Sequence, residues 1–141
     1  MKIAEGILYY YPRIDKRIEN ITNAINYLAF KSSFSEKAQK IANKILSLMW
    51  KKTKLQELKE LLDGIFFDYD YDDKVYFEYK YFKTCTKSQM ARMGIDTDSR
   101  GYFRKQDKLL KKYFYDLSRL GIDEDYLYIN YGDFGFENIK E

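Results

Sequence analysis

Chemistry in this chain has to come from carboxylates, lysines, arginines and tyrosines, because its 141 residues include no His and a single cysteine, Cys85. Without imidazole there is no Ser-His or Cys-His dyad, and the commonest general base is missing. One thiol cannot close an internal disulfide or complete the usual four N/S ligands of a zinc site, which points to a reducing cytoplasm. The acidic series Asp68-x-Asp70-x-Asp72 matches the first three ligand positions of a calcium loop. Its sixth position is Asp73 rather than Gly and its twelfth is Tyr79 rather than Glu, so both the turn and the bidentate ligand are absent. No nuclease-type lysine motif accompanies these acids, and helix capping accounts for them. Cys85 lies near a helix start, where a dipole lowers a thiol pKa, although a small buried hydrophobe is the commoner role. The chain therefore reads as a binder rather than an enzyme, with no metal or cofactor.

What remains is a concentration of cations. Residues 87–121 carry nine Lys/Arg against four Asp/Glu, the last twenty residues carry six acids against one Lys, and the whole chain balances at +3. Such segregation concerns partners rather than fold. On a helical wheel of about 100° per residue, Arg100, Arg104, Lys105, Lys108, Lys111, Lys112 and Arg119 fall opposite a face of Tyr102, Phe103, Leu109, Leu110, Tyr113, Phe114, Leu117 and Leu120. An anchored helix with a cationic outer face suits a DNA groove, where Lys and Arg displace counterions from phosphates; a merely solvated face is the plainer reading. Ser99, Arg100, Arg104 and Lys105, in the first turns, are the candidates for base edges, and Lys108, Lys111 and Lys112 for phosphates. Lys87 and Ser88, at the amino end of a short preceding helix, are candidates for a further phosphate. Gln106 and Asp107 lie toward the core side.

The elements that would position these residues are all helical. After the aromatic start Ile7-Leu8-Tyr9-Tyr10-Tyr11 and the single Pro12, Ile14, Ile18, Ile21, Ile25 and Leu28 form a stripe that can pack on its own domain or serve a homodimer. Ser33 with Glu36 has capping-box spacing for a helix ending near Trp50, and Thr53 with Gln56 repeats it for a third helix closing near Gly64. Asp-rich residues then lead into a helix at about 72–83, carried by Val75, Tyr79 and Phe82. Thr86 with Gln89 caps a short helix over about 87–93 that Gly94 stops, and a long helix runs from Ser99 to Leu120, with Gly121 as its left-handed stop. Asp96 and Asp98 precede that helix, where capping is the expected role. No run of about 18 apolar residues is present, so no membrane span is expected.

The succession of Val75-Tyr76-Phe77-Glu78-Tyr79-Lys80-Tyr81-Phe82, Thr86-Lys87-Ser88-Gln89-Met90-Ala91-Arg92-Met93-Gly94-Ile95 and Tyr102-Phe103-Arg104-Lys105-Gln106-Asp107-Lys108-Leu109-Leu110 is that of a helix-turn-helix unit. Over roughly residues 54–120 it resembles region 4 of bacterial sigma factors and, more closely, the small sigma-like regulators of the ArpU and RinA type found in phages of low-GC Gram-positive bacteria. Met90 stands where that pattern has a small residue. The resemblance implies an all-α helical bundle, binding to double-stranded DNA at promoters or operators, contact with RNA polymerase, and phage or mobile-element origin. No counterpart of the promoter-melting region is visible, so an autonomous sigma factor is not expected. The chain divides on this reading into a helical part for dimerisation or partner contact at 1–65, a DNA-binding part at 66–121, and an acidic aromatic tail at 122–141 that packs back on the domain. The rival reading is a helical protein-interaction module, an inhibitor or adaptor, that does not bind DNA.

Overall fold

The apolar spacing is helical nearly throughout, and the computed structural model, which describes residues 2–32 and 37–139, contains no strand among them. Seven α-helices follow in order: α1 (Lys2–Tyr10), α2 (Ile14–Ser32), α3 (Ala38–Phe67), α4 (Tyr71–Phe77), α5 (Lys87–Arg92), α6 (Arg100–Arg119) and α7 (Glu124–Tyr131). No helix among the described residues is long and apolar enough to cross a membrane. The chain forms two units, one of Met1–Pro12 with Leu62–Glu141 and one of Arg13–Leu61.

The first unit is built around aromatic rings. Phe66, near the end of α3, meets the rings of Tyr11, Tyr69, Phe77, Phe82 and Tyr113 at centroid separations between 5.4 and 6.1 Å, the range in which edge and offset contacts add to simple burial. The expected N-terminal part of 1–65 is redrawn, because α1 belongs here. Its Ile3, Ala4, Ile7 and Leu8 are buried, pairs four apart that put one helix stripe inward. The covering element is the C-terminal tail, where Ile122, Leu127, Tyr131 and Phe136 are buried in turn. The ring of Tyr10 lies 4.9 Å from that of Phe136, and at Gly6 an added Cβ would run into the Phe136 carbonyl. Only glycine allows so close an approach. The acidic tail thus serves the core of this unit through its apolar residues. Two phenols add polar ties to α1: Tyr113, wholly buried, donates to the Ala4 carbonyl at 2.9 Å, and Tyr81 donates to Glu5 at 3.1 Å.

The second unit is a helical hairpin. It holds α2 and α3 as far as Leu61, and Lys59 of α3 reaches Asp15 of α2 at 3.3 Å. The expected break between two helices near residues 50–53 does not occur, and the Gly64 stop is also passed: α3 runs unbroken for 30 residues. Neither Pro nor Gly interrupts residues 38–63, and Leu48, Leu55, Leu58 and Leu62 keep one stripe in register, so the capping potential of Thr53 is unused. The Ser33–Glu36 capping pair lies outside the described residues. In the α2 stripe Ile14 and Ile21 are buried with Leu55 and Leu58, whereas Ile18, Ile25 and Leu28 remain half-buried. The stripe is therefore fully buried only at Ile14 and Ile21.

Candidate nucleic-acid interface

The predicted residues lie on α5, at the start of α6 and along it, and α4 packs against both helices. Asp70 stands at the N-cap of α4 without a side-chain capping bond. The helix continues into a wider turn over Glu78–Phe82, which closes with Lys83 in the left-handed conformation at φ 58°. α5 opens with the full capping box expected: Thr86 accepts from the Gln89 amide at 3.1 Å, and Gln89 accepts from the Thr86 amide at 2.8 Å. It ends at Gly94 with φ 78°, where the Ile95 amide donates back to the Met90 carbonyl at 3.0 Å, closing the last turn as a left-handed residue permits. Val75 of α4, Met90 of α5 and Tyr102 of α6 are buried together, with Tyr76, Tyr79, Cys85 and Ile95 packed around them. Met90 fills the centre of this cluster, where a small side chain would leave a void.

The start of α6 is set by Ser99. Its hydroxyl accepts from the Tyr102 amide at 3.1 Å and donates to the Asp96 carbonyl at 2.7 Å. The expectation that Asp96 or Asp98 caps this helix is corrected: Asp96 accepts from the Asp98 amide at 3.0 Å within the turn, and Asp98 holds Lys87 at 3.0 Å. Ser99, proposed for base contact, spends its hydroxyl on the helix end. The buried face of α6 is Tyr102, Gln106, Leu109, Tyr113 and Leu117, rotated from the expected apolar face: Phe103 and Leu120 are each 59 % exposed. Gln106 takes an inner place because its amide donates to the Tyr76 carbonyl at 2.8 Å and the Tyr102 hydroxyl at 2.9 Å.

The nine predicted DNA-contacting residues separate by what else they do. Lys105 is paired with the half-buried Asp73 at 2.9 Å, Lys111 with Asp107 at 2.8 Å, and Lys87 with Asp98; each carboxylate raises the pKa of its lysine by accepting a hydrogen bond from it. Lys112 lies 4.3 Å from the ring centroid of Tyr69, whose hydroxyl donates to Asp116 at 2.7 Å. Sequence spacing gave no sign of this arrangement, since Tyr69 and Asp116 are far apart in the chain. Arg100, Arg104 and Lys108 are exposed and take part in no ion pair among the described residues, and Ser88 is exposed as well. They stand on the side of α6 opposite its buried residues, with Arg100 and Arg104 in the first two turns. Outside this face, Cys85 is no activated thiol: burial, with Glu78 nearby, pushes its pKa up. Among the described residues no group of three or more Cys, Asp or Glu side chains stands close enough to hold a metal ion.

Comparison with family models, curated proteins and solved structures returns no match for this chain. The class it defines is an all-helical protein with one strongly cationic helix face.

Proposed function

We propose that this protein is a DNA-binding regulator of transcription in which α4, α5 and α6 act as a sigma region 4-like helix-turn-helix unit. The observation that carries the reading is the face of Arg100, Arg104 and Lys108 on α6, exposed and free of ion pairs among the described residues. Arg100 and Arg104 read bases from the first turns, and Lys108 neutralises phosphate. Lys105, Lys111, Lys112 and Lys87, already paired within the chain, contribute less to affinity, because contact with DNA requires breaking an existing contact. Ser88 at the amino end of α5 donates to backbone phosphate. The reading makes the protein cytoplasmic, non-enzymatic and of phage or mobile-element origin, with the hairpin unit as its contact to RNA polymerase or to a second copy.

The test is recovery of fragmented genomic DNA by the purified protein at about 0.15 M salt followed by sequencing, since specific sites exceed non-specific ones by roughly 10³–10⁷ in affinity. A shared motif among the recovered sites is expected. The double variant Arg104→Glu/Lys108→Glu should abolish recovery while leaving the melting temperature unchanged. Flat recovery by the unaltered protein would instead favour the second reading, a protein-interaction module. That reading has its own observation in the exposed Tyr27, Leu46 and Met49 of the hairpin, where residues 22–54 carry seven lysines and one acid.

A further inference from the structure

Helical spacing places Phe103 on the anchoring side of α6, yet the residue is 59 % exposed. Its ring stands edge to face with that of Tyr102, centroids 5.1 Å apart, and this contact leaves more than half of the residue in solvent. The inward places of this stretch are taken by Tyr102 and Gln106. Around Phe103 the surface is charged. Arg100 stands three positions before it, Arg104 directly after it and Asp107 four positions on, which puts the four at the i, i+3, i+4 and i+7 places of one helix face. Arg100 and Arg104 are exposed and form no ion pair among the described residues. Asp107 is held by Lys111 at 2.8 Å, so its charge is compensated within the chain. A phenyl ring in such a place is poorly accommodated by water and is stabilised when a partner covers it with apolar atoms.

We propose that Phe103 sets part of the sequence preference of α6 by packing on the C5-methyl group of a thymine in the major groove, a role that rests on the DNA-binding reading above. Duplex DNA leaves the ring little else. Base edges in the major groove present hydrogen-bond donors and acceptors, and the apolar group among them is the thymine methyl. A phosphate offers a phenyl ring no attraction, and stacking on a base requires that base to leave the duplex. Arg100 and Arg104 are matched to guanine, whose O6 and N7 accept two guanidinium donors at once. The four residue steps from Arg100 to Arg104 advance about 6 Å along the helix, roughly two base-pair steps of 3.4 Å. The preferred site therefore holds a thymine within about two base pairs of a guanine, and Phe103 favours that thymine through its methyl group.

The experiment compares two duplexes, one carrying the motif shared by the recovered genomic fragments and one identical except that uracil replaces every thymine. Uracil lacks the methyl and keeps the hydrogen-bonding groups of thymine, so the polar pattern of the groove is preserved. Binding is measured at about 0.15 M salt for the full-length protein, Phe103→Ala and Phe103→Leu. Because residue 103 lies at the surface, the melting temperatures of the three should stay close. The unaltered protein is expected to prefer the thymine duplex about fourfold, the effect of covering one methyl group. Phe103→Ala should bring the ratio close to one and Phe103→Leu should keep most of it. A preference that depends on residue 103 also separates the methyl contact from any effect of uracil on duplex shape. Equal thymine-to-uracil ratios in the unaltered protein and Phe103→Ala, or a motif with no thymine within about two base pairs of a guanine, overturn the contact while the DNA-binding reading stands. Binding of neither duplex, or recovery without a shared motif, overturns that reading and the contact with it.

Discussion

The two units use similar apolar material to opposite effect. In the first, rings from α1, α3, α4, α6 and the tail close on one another, and Tyr81, Tyr113, Phe77 and Phe136 are almost wholly buried. In the second, two helices bury Ile14, Ile21, Leu55 and Leu58 but leave Tyr27, Phe30, Leu46, Met49 and Trp50 between 44 and 70 % exposed. Two helices offer each other one stripe apiece, and a side chain off that stripe has nowhere to go. The first unit adds elements from both ends of the chain until its core is enclosed. A high apolar content thus makes a closed core only where topology supplies a third and fourth layer.

The most severe way to break this contrast is truncation after Gly121. It removes Ile122, Leu127, Tyr131 and Phe136 and uncovers the inner stripe of α1, so the first unit should lose its cooperative melting transition in circular dichroism. A single atom group tests the same packing: Gly6→Ala has to push the Phe136 backbone away and is expected to cost several kcal/mol, on the scale of about 1–3 kcal/mol or more for overpacking. If the truncated chain melts as the intact one does and merely binds DNA more tightly, the tail is an inhibitory appendage and not part of the core.

A smaller effect comes from alkali. Burial is the main cause that pushes the phenols of Tyr69, Tyr81 and Tyr113 well above their ordinary value of 10.0, and carboxylates at Asp116 and Glu5 add to it for the first two. Because the folded pKa lies above the unfolded one, this stability is complete below pH about 10 and is lost as pH rises further, when only the unfolded chain ionises. Urea midpoints should therefore hold steady to about pH 10 and then fall, with tyrosinate absorbance rising together with unfolding. Tyr113→Phe removes the bond to Ala4 and should cost about 1–2 kcal/mol at neutral pH while flattening the alkaline slope. A midpoint that declines steadily from pH 8 would mean that these phenols are less enclosed than the packing shows.

What the sequence disclosed and what it concealed divide along the same line. Local signals were legible: the Thr86–Gln89 capping box, the Gly94 and Gly121 stops and the cationic side of α6 stand where spacing placed them. Features made by distant partners were not. The α1 stripe of Ile3, Ala4, Ile7 and Leu8 gave no hint that residue 136 would cover it, and the pairing of Lys105 with Asp73 lies beyond any helical wheel. Gln106 is the intermediate case, since its position between Tyr102 and Leu109 marked it as inward but only the Tyr76 carbonyl explains a buried amide there. At α3 a local signal misled: Thr53 and Gln56 have capping spacing, yet a helix without a breaker simply continues through them.

The gentlest perturbation is the most discriminating for the hairpin. Amides of α2 and of residues 38–54 should exchange with solvent well before those of α6, because local opening there exposes little additional apolar surface. Leu46→Gln with Met49→Gln alters two exposed side chains, so a stability change within about 0.5 kcal/mol is expected, and the exchange pattern should stay the same. Ile21→Ala, one turn inside the buried part of the stripe, should speed exchange throughout 14–61 and spare α6. Were the two glutamines instead to lower stability by as much as Ile21→Ala, or to change the mass of the protein in solution, the hairpin would already be covered by another surface, and the contrast between a closed unit and an open one would fail at that point.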